Sequence, residues 1–322
     1  MNILIPGALL TIVGLWSLNS VRRVDFIFIL AIIGGIYLHV GQDNIGNDYK
    51  IYLDFFQGNV PVNNSDPLFL LFSQVVSKLD PSGFLGLLVF SIVIVGGYGI
   101  FIYRWIPHDK LFGLALFFLL PIFYVNSLNL MRAHFAIAII LSILSMKKPR
   151  ALLFSIGGIT ALGFHNIAIM TLVPYFNSKM PLWSLRYFIF GFMLLAFPIF
   201  TSFESEIAKG LGYGYFLSHS SDNNQAFLIV FAFLCLMLAV LYDLNNLYMK
   251  DAVFWGNIIT FYFLCLYFVS DLANFWLRFC QATFPFFIIA FANFLDAFRP
   301  KLFVRWVKIF ISICLMINLV SA

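Results

Sequence analysis

Residues 128–146 read LNLMRAHFAIAIILSILSM and carry a single charge, Arg132, near the start of an apolar run. A basic stretch at 147–150 follows at once, which is typical of a membrane-spanning helix that ends at a surface. A guanidinium at the mouth of an apolar helix is costly unless it meets water or an anion, so it is a candidate functional group. His165 is isolated in the same way about thirty residues later. We expect Arg132 and His165 to face one cavity on the outer side of a membrane.

The composition excludes a soluble enzyme with a single anchor. Of 322 residues, 62% are hydrophobic and 10% are charged, and the mean hydropathy is +0.97. Soluble domains have about 45–50% apolar and about 25% charged residues. We expect an all-α, polytopic membrane protein that forms one transmembrane domain over residues 1–322 and binds no nucleic acid. The four cysteines lie in apolar segments without CxxC spacing, so neither a disulfide nor a metal site is expected.

Lysine and arginine near the ends of apolar segments set the orientation of the chain. They predict about twelve spans (11–13), with the N-terminus outside. Residues 151–164 and 167–176 are each short for a span. One continuous helix there would place the basic stretch at 299–308 outside, so we predict two short or broken helices that meet near His165. The other predicted spans are 3–18, 24–39, 84–103, 111–127, 128–146, 182–201, 226–242, 252–269, 279–295 and 302–320.

Two polar segments are expected on the outer side. Residues 41–66 form an acidic loop, and residues 202–225 form a second loop. Asp66 and the proline that follows it open a predicted amphipathic helix over 67–79, with Asp66 as its N-cap. This helix is about 20 Å long, short of the roughly 30 Å hydrocarbon core. We therefore expect it to lie in the outer interface of the membrane or to dip partly into it.

The predicted topology brings four polar residues to the outer membrane surface, namely Asp48, Arg132, His165 and Arg278. Two arginines suit a phosphate or diphosphate, because a guanidinium stays charged and donates two parallel hydrogen bonds. His165 could accept a proton near neutral pH, and Asp48 could do the same or hold a neighbouring side chain in place. The convergence of these residues on one side indicates a site for an anionic headgroup.

Aromatic residues of the two outer loops are candidate sugar ligands. Tyr49 and Tyr52 directly follow Asp48, and Tyr213 and Tyr215 lie in the loop at 202–225, which we expect to select the sugar. The sequence contains no HExxH, Walker loop, GxSxG, CxxC or paired-aspartate metal motif. We therefore expect no metal and no cofactor.

Each of these residues also has a purely structural interpretation. Arg132 could extend to the interface, as arginines near helix ends do. Arg278 could pair with Asp271, and His165 could be a hydrogen-bonded packing residue. Asp48 could be a solvated loop acid, and the loop tyrosines could belong to an interfacial aromatic belt.

Five segments, in order and spacing, resemble the EpsG/Wzy-like family of bacterial polysaccharide polymerases. The resemblance covers about residues 40–300. In that family a Gln often follows the arginine, where Ala133 stands here, and an acid usually precedes the proline, as Asp66 does. The segments are DYKIYLDFF, DPLFLLFSQVVSKL, MRAHFAIAI, FHNIAIMTLVPYF and LRFCQATFPFFIIAF.

The resemblance implies a metal-independent glycosyltransferase of GT-C-like architecture in the bacterial inner (plasma) membrane, with its active site facing the periplasm or cell exterior. Its donor and acceptor would be oligosaccharide repeat units on undecaprenyl diphosphate, among membrane lipids. A chain-length regulator is a further candidate partner. Arg132 and Arg278 match the family's arginines, His165 its histidine, and Asp48 and Tyr49 its loop motif.

Two other functions use similar features. A multi-span O-acyltransferase of envelope sugars would also need a membrane histidine and arginine, but would take its acyl donor from the cytoplasm. A lipid-linked oligosaccharide flippase would need a charged cavity open to both sides and inverted repeats, and no repeat is evident in the sequence.

Overall fold

In the computed structural model, the described residues are 21–41, 49–59, 66–106, 109–120, 127, 130–146, 151–179, 202–203, 205–206, 250–269, 273–297, 304 and 306–314. This part of the chain is helical and contains no strand, which confirms the all-α class. The helices are α1 (Val21–Val40), α2 (Tyr49–Gln57), α3 (Pro67–Leu79), α4 (Phe84–Trp105), α5 (Lys110–Leu119), α6 (Met131–Leu144), α7 (Ala151–Phe164), a 3₁₀ turn (Asn166–Ala168), α8 (Ile169–Lys179), α9 (Lys250–Val269) and α10 (Ala273–Ala297).

Three helical segments of the described part are long and apolar enough to cross a membrane: Phe84–Trp105, Asp251–Phe268 and Phe275–Leu295. The predicted spans at 3–18, 182–201 and 226–242 lie outside the described residues, so the count of twelve spans and the GT-C-like architecture stay predictions. The chain forms two compact units, Met1–Ile169 with Phe291–Ala322, and Met170–Ala290.

In the first unit, α1 and α4 run antiparallel. Phe28 packs edge-on against Tyr103, with ring centroids 5.4 Å apart. Towards the other end of the pair, His39 Nδ1 lies 2.8 Å from Ser91 Oγ. His39 is fully buried and its Nε2 lies 3.2 Å from Ser127 Oγ. Polar contacts of this kind hold apolar helices together, because lipid provides no hydrophobic driving force between them.

Small residues let α4 approach its neighbours on both faces. A Cβ atom at Gly97 would lie 2.6 Å from the carbonyl oxygen of Ala138 in α6, and one at Gly99 would meet Ile32 of α1 at 2.4 Å. Phe135 of α6 also stacks on Phe90 of α4, about two turns before Gly97, with the ring centroids 4.2 Å apart. Helices α4 and α6 therefore run in the same direction, with α4 packed between α1 and α6.

Helices α5 and α7 complete an alternating bundle. Lys110 at the start of α5 pairs with Asp25 at 2.9 Å, and Phe118 near its end packs against Gly35, so α5 runs parallel to α1. Phe164, the last residue of α7, packs near the start of α6. The five helices alternate in direction as the predicted spans do, while the side of the membrane on which each begins stays a prediction.

The segment predicted as a polar loop over 41–66 contains a helix, α2, which corrects that expectation. Tyr49, Tyr52 and Phe56 follow a helical period, and all three are buried. Phe56 packs against Phe69 of α3 and Phe90 of α4, with centroids 6.0 and 5.2 Å apart. Aromatic pairs contribute about 0.5–1.5 kcal/mol each beyond area burial, and such contacts fix α2 and α3 on the bundle.

Helix α3 has the predicted bounds, and a polar side chain lies on its buried face. Ser73 is buried and donates a hydrogen bond to the carbonyl oxygen of Phe69 at 2.8 Å. Leu71, Val75 and Leu79 are exposed on another stripe of the same helix. The aromatic cluster, rather than the most apolar face, decides which side of α3 is buried, and the remaining apolar stripe is compatible with a membrane interface.

In the second unit, α8, α9 and α10 are joined through threonines. Thr171 Oγ1 donates to the carbonyl oxygen of Ala282 at 2.8 Å, and Thr260 Oγ1 lies 2.6 Å from Thr283 Oγ1. All three threonine side chains are buried. Hydroxyl contacts thus connect the helices of this unit as they connect those of the first.

Candidate functional site

Arg132 is the second residue of α6 and lies at the end of the first unit where α4 also begins. Its Nη1 donates to Asp66 Oδ2 at 2.5 Å, and its Cζ lies 5.1 Å from the centre of the Phe69 ring. The side chain of Arg132 is 26% exposed and that of Asp66 is 10% exposed. The guanidinium therefore contacts both a carboxylate and an aromatic ring, which restricts its position.

A cation at this position needs an anion. The N-terminus of a helix carries a partial positive charge, so Arg132 and the first turn of α6 repel each other while both attract negative groups. Asp66 supplies one such group. Burial raises the pKa of the Asp66 carboxyl above its usual range, and the charge of Arg132 offsets only part of that rise.

The N-cap role expected of the Asp66 side chain is wrong. Its backbone carbonyl accepts from the N–H of Leu70 at 3.0 Å, but its carboxylate makes no capping hydrogen bond to α3. The carboxylate instead faces Arg132. The Asp66 carboxylate contacts the Arg132 guanidinium instead of the backbone N–H groups of α3. A charge-assisted hydrogen bond in a partly buried site is stronger than an ordinary helix-capping hydrogen bond.

His165 lies in the predicted helix break, which is confirmed. Helix α7 ends at Phe164, and His165 has an extended backbone with φ −167° and ψ 127° before the 3₁₀ turn begins. The side chain is buried, and Nδ1 accepts a hydrogen bond from the N–H of Ile167 at 3.2 Å. In the neutral ring the proton is thus assigned to Nε2, so the ring is set to donate from that nitrogen.

The structure brings Arg132, His165, Tyr49 and Tyr52 to the same end of the first unit, which we call the Arg132 end. Helix α6 packs on the 3₁₀ turn that follows His165. Tyr49 is tied to the last residue of α1 through a hydrogen bond from its hydroxyl to the carbonyl oxygen of Val40 at 3.0 Å. Tyr52 Oη lies 3.5 Å from the backbone nitrogen of Arg132.

Both loop tyrosines have structural contacts. Tyr49 and Tyr52 are 6% and 5% exposed, and the Tyr52 ring packs edge-on against Phe69 at 6.1 Å. Their expected role as sugar ligands stays a prediction, and in this structure they position the backbone at the Arg132 end. Asp48, Tyr213, Tyr215 and Asp271 lie outside the described residues, so their roles also stay predictions.

Arg278 belongs to the second unit. It lies half-buried in α10, and Gln281 follows it by one helical turn on the same face. Gln281 is 4% exposed, and its Oε1 has no hydrogen-bond partner among the described residues. A buried amide oxygen of this kind costs about 1–3 kcal/mol, which makes it a candidate ligand contact beside Arg278. Gln281 was not predicted as a site residue, although it stands in the LRFCQ segment that resembles the family.

A family model matches residues 21–322, and the family is EpsG. This match covers nearly the whole chain. The protein belongs to the EpsG family, the family of Wzy-like polysaccharide polymerases. No curated protein and no solved structure gives a match.

The family and the apolar helices make this EpsG-family chain a membrane protein of polysaccharide biosynthesis. Arg132 and His165 were predicted from the sequence as site residues, and this stays a prediction, whereas Asp66, the ion-pair partner of Arg132, was not predicted. The signal was present, because a lone arginine in an apolar helix requires an anion and Asp66 opens the only amphipathic helix predicted in the first outer loop. The sequence alone could not choose between the acids at 43, 48, 54 and 66 for that partner.

Proposed function

We propose that this EpsG-family protein is a metal-independent polysaccharide polymerase. It transfers a growing glycan from undecaprenyl diphosphate to a lipid-linked oligosaccharide repeat unit. The reaction takes place at the outer face of the bacterial inner membrane. The observation that carries the proposal is the guanidinium of Arg132, held at the N-terminus of α6 beside an aromatic ring.

The reaction needs a group that stabilises a departing diphosphate. The acceptor hydroxyl attacks the anomeric carbon of the donor sugar, the bond from that carbon to the phosphate oxygen breaks, and the lipid diphosphate leaves with the bonding electrons. Negative charge therefore grows on the diphosphate in the transition state. Arg132 and the first turn of α6 offer fixed positive charge at that place, and Arg278 is the second proposed contact.

The proton of the acceptor hydroxyl needs a base, for which Asp48 and His165 are the proposed candidates. The hydrogen bond from Ile167 to Nδ1 of His165 favours Asp48, because the neutral ring then offers a donor rather than an acceptor at Nε2. His165 would donate from Nε2 to the departing diphosphate. Tyr213 and Tyr215 remain the proposed sugar contacts in the second loop, together with the two tyrosines of α2.

The experiment uses purified protein in proteoliposomes with a radiolabelled oligosaccharide on undecaprenyl diphosphate. Polymer formed with release of lipid diphosphate supports the proposal. Product that appears only when an acyl donor is added would instead indicate an O-acyltransferase, and movement of the lipid across the bilayer without product would indicate a flippase. We expect Arg278→Ala to lower chain extension by about a hundredfold while the protein stays in the membrane.

A further inference from the structure

At the Arg132 end, the side chain of Asp66 makes a different contact from the one that its position in the chain predicts. It stands directly before α3, where a carboxylate normally caps the first turn. Its backbone carbonyl already accepts from Leu70, and its side chain faces Arg132 instead. The ion pair joins residues 66 positions apart in the chain and crosses from the first predicted outer loop to α6.

The pair restricts the guanidinium in two directions. Asp66 fixes Nη1 at 2.5 Å, and the Phe69 ring lies 5.1 Å from Cζ. A guanidinium has five N–H donors in a rigid plane, and one carboxylate oxygen at one nitrogen sets the direction in which the others point. Since Asp66 and Phe69 belong to the same end of α3, this helix determines how Arg132 is presented to a ligand.

We propose that Asp66 is the positioning residue of Arg132, holding its guanidinium in the orientation that meets the leaving diphosphate. This inference rests on the proposed function, because it assigns Asp66 a part in that same reaction. Asp66 acts through Arg132 and does not contact the reacting atoms. Its negative charge balances Arg132 while the site is empty, and the diphosphate then binds to an arginine whose side-chain entropy has already been lost.

A purely structural tie between α3 and α6 would behave differently. It would lower the stability of the protein and the amount of active enzyme, but leave the KM and the kcat of the folded fraction unchanged. A positioning role changes kcat, because a misdirected guanidinium still attracts an anion without meeting the transition state. A misplacement of about 1 Å costs up to about a hundredfold in rate.

The test compares Asp66→Asn with Asp54→Asn, which removes a carboxylate from the same loop, on α2. Asn is a good N-cap, so α3 should keep its first turn. We expect Asp66→Asn to lower kcat by about tenfold to a hundredfold. Binding of farnesyl diphosphate, a short stand-in for the lipid carrier, should change by less than about threefold. Asp54→Asn should match the parent protein in both measurements.

Two further readouts separate positioning from packing. In an Arg132→Gln background, adding Asp66→Asn should change the residual rate by less than about twofold, because Asp66 acts only through the arginine. The parent enzyme should also lose activity as the pH falls through the raised pKa of Asp66, since protonation removes the charge that holds Arg132. Asp66→Asn should lack this acidic step.

A kcat of Asp66→Asn equal to that of the parent would overturn the inference, as would an equal loss of rate with and without Arg132. If Asp66→Asn fails to reach the membrane, Asp66→Glu takes its place. It keeps the charge but displaces it by one methylene, so kcat should fall while farnesyl diphosphate binding persists, and an unchanged kcat would overturn the inference. Full activity of Arg132→Gln alone would instead reject the proposed function, whatever Asp66 does.

Discussion

The two ends of α4 hold the same kind of ion pair in different surroundings. At the Arg132 end, an arginine pairs with a largely buried carboxylate over a phenylalanine ring. About 20 Å away along the axis, Lys110 pairs with Asp25, whose side chain is 38% exposed, and lies 3.6 Å from the centre of the Tyr103 ring. An ion pair over an aromatic ring is therefore not by itself enough to indicate a ligand-binding site.

The difference lies in what surrounds each cation. Arg132 stands at a helix N-terminus beside a histidine-bearing helix break, whereas the Lys110 end carries a second lysine pair, Lys308 with Asp109. Lysine is a strongly hydrated point charge, and lysines near span ends mark the cytoplasmic side. The Arg132 end has donors for an anionic ligand, whereas the lysines predict that the Lys110 end faces the cytoplasm.

The largest contrast should appear when each cation is removed. Arg132→Ala should lower chain extension by at least about a hundredfold, the scale of one lost contact to transition-state charge. Lys110→Ala, the matched variant at the other end, should stay within about threefold of the parent, since exposed ion pairs are worth about 0–1 kcal/mol. Initial rates in proteoliposomes at equal protein amounts measure both.

Exchanging arginine and lysine at positions 132 and 110 tests whether the shape of the cation matters at each end of α4. Arg132→Lys should also lose activity, because a point charge lacks the planar fork. Lys110→Arg should have no effect. Equal rates for Arg132→Lys and the parent would mean that Arg132 only extends to the membrane interface.

The next-largest loss of rate is expected at His165. Its ring accepts a hydrogen bond at Nδ1 and offers a donor at Nε2, and substitution can separate the two. His165→Asn should keep the acceptor for the Ile167 N–H but remove the Nε2 donor, while His165→Ala removes both. We expect His165→Asn to lower the rate by at least about tenfold without lowering the thermal unfolding temperature in detergent. A normal rate for His165→Asn would reduce His165 to a residue of the helix break.

The middle of α4 packs closely against α6 at Gly97. Substitutions at Gly97 and at its neighbour Gly96 test this packing. Gly97→Ala places a Cβ against the Ala138 backbone, whereas a Cβ at Gly96 meets nothing within 4 Å. Gly97→Ala should destabilise the protein by about 1–3 kcal/mol, and Gly96→Ala should leave it unchanged or slightly more stable. Thermal unfolding in one detergent compares the two, and equal unfolding temperatures would contradict the packing of α4 on α6.

The smallest effect is expected at the Lys110 end. Asp25→Asn removes the carboxylate from a partly exposed pair, so the free energy of unfolding should fall by less than about 1 kcal/mol and the polymer length should not change. Loss of chain extension in this variant would show that the Lys110 end takes part in the reaction. The proposed division between the two ends would then be wrong.

Sequence patterns predicted the helices of the first unit well, because apolar length and basic flanks are local signals. The bounds of α3 and α7 and the break at His165 followed from Pro67, from the basic stretch at 147–150 and from the short apolar runs. Helix α2 was missed, since its buried aromatic period lies among acids and glycines that favour a loop.

The candidate site was predicted in part for a similar reason. An isolated Arg132 is visible in sequence, but its partner is not, since four acids of one loop have equal claim to it. The choice of Asp66 depends on the aromatic cluster, a tertiary feature that orients α3. The same cluster buries Ser73 and exposes Leu71, against the amphipathic pattern of the helix.

The most direct test is an electron cryomicroscopy map of the protein with undecaprenyl diphosphate bound in a lipid nanodisc. Our interpretation predicts density for the diphosphate within hydrogen-bonding distance of the Arg132 guanidinium, at the end of the first unit that holds Asp66 and His165. Density for the diphosphate at Lys110 and Lys308, or anywhere out of reach of Arg132, would contradict it.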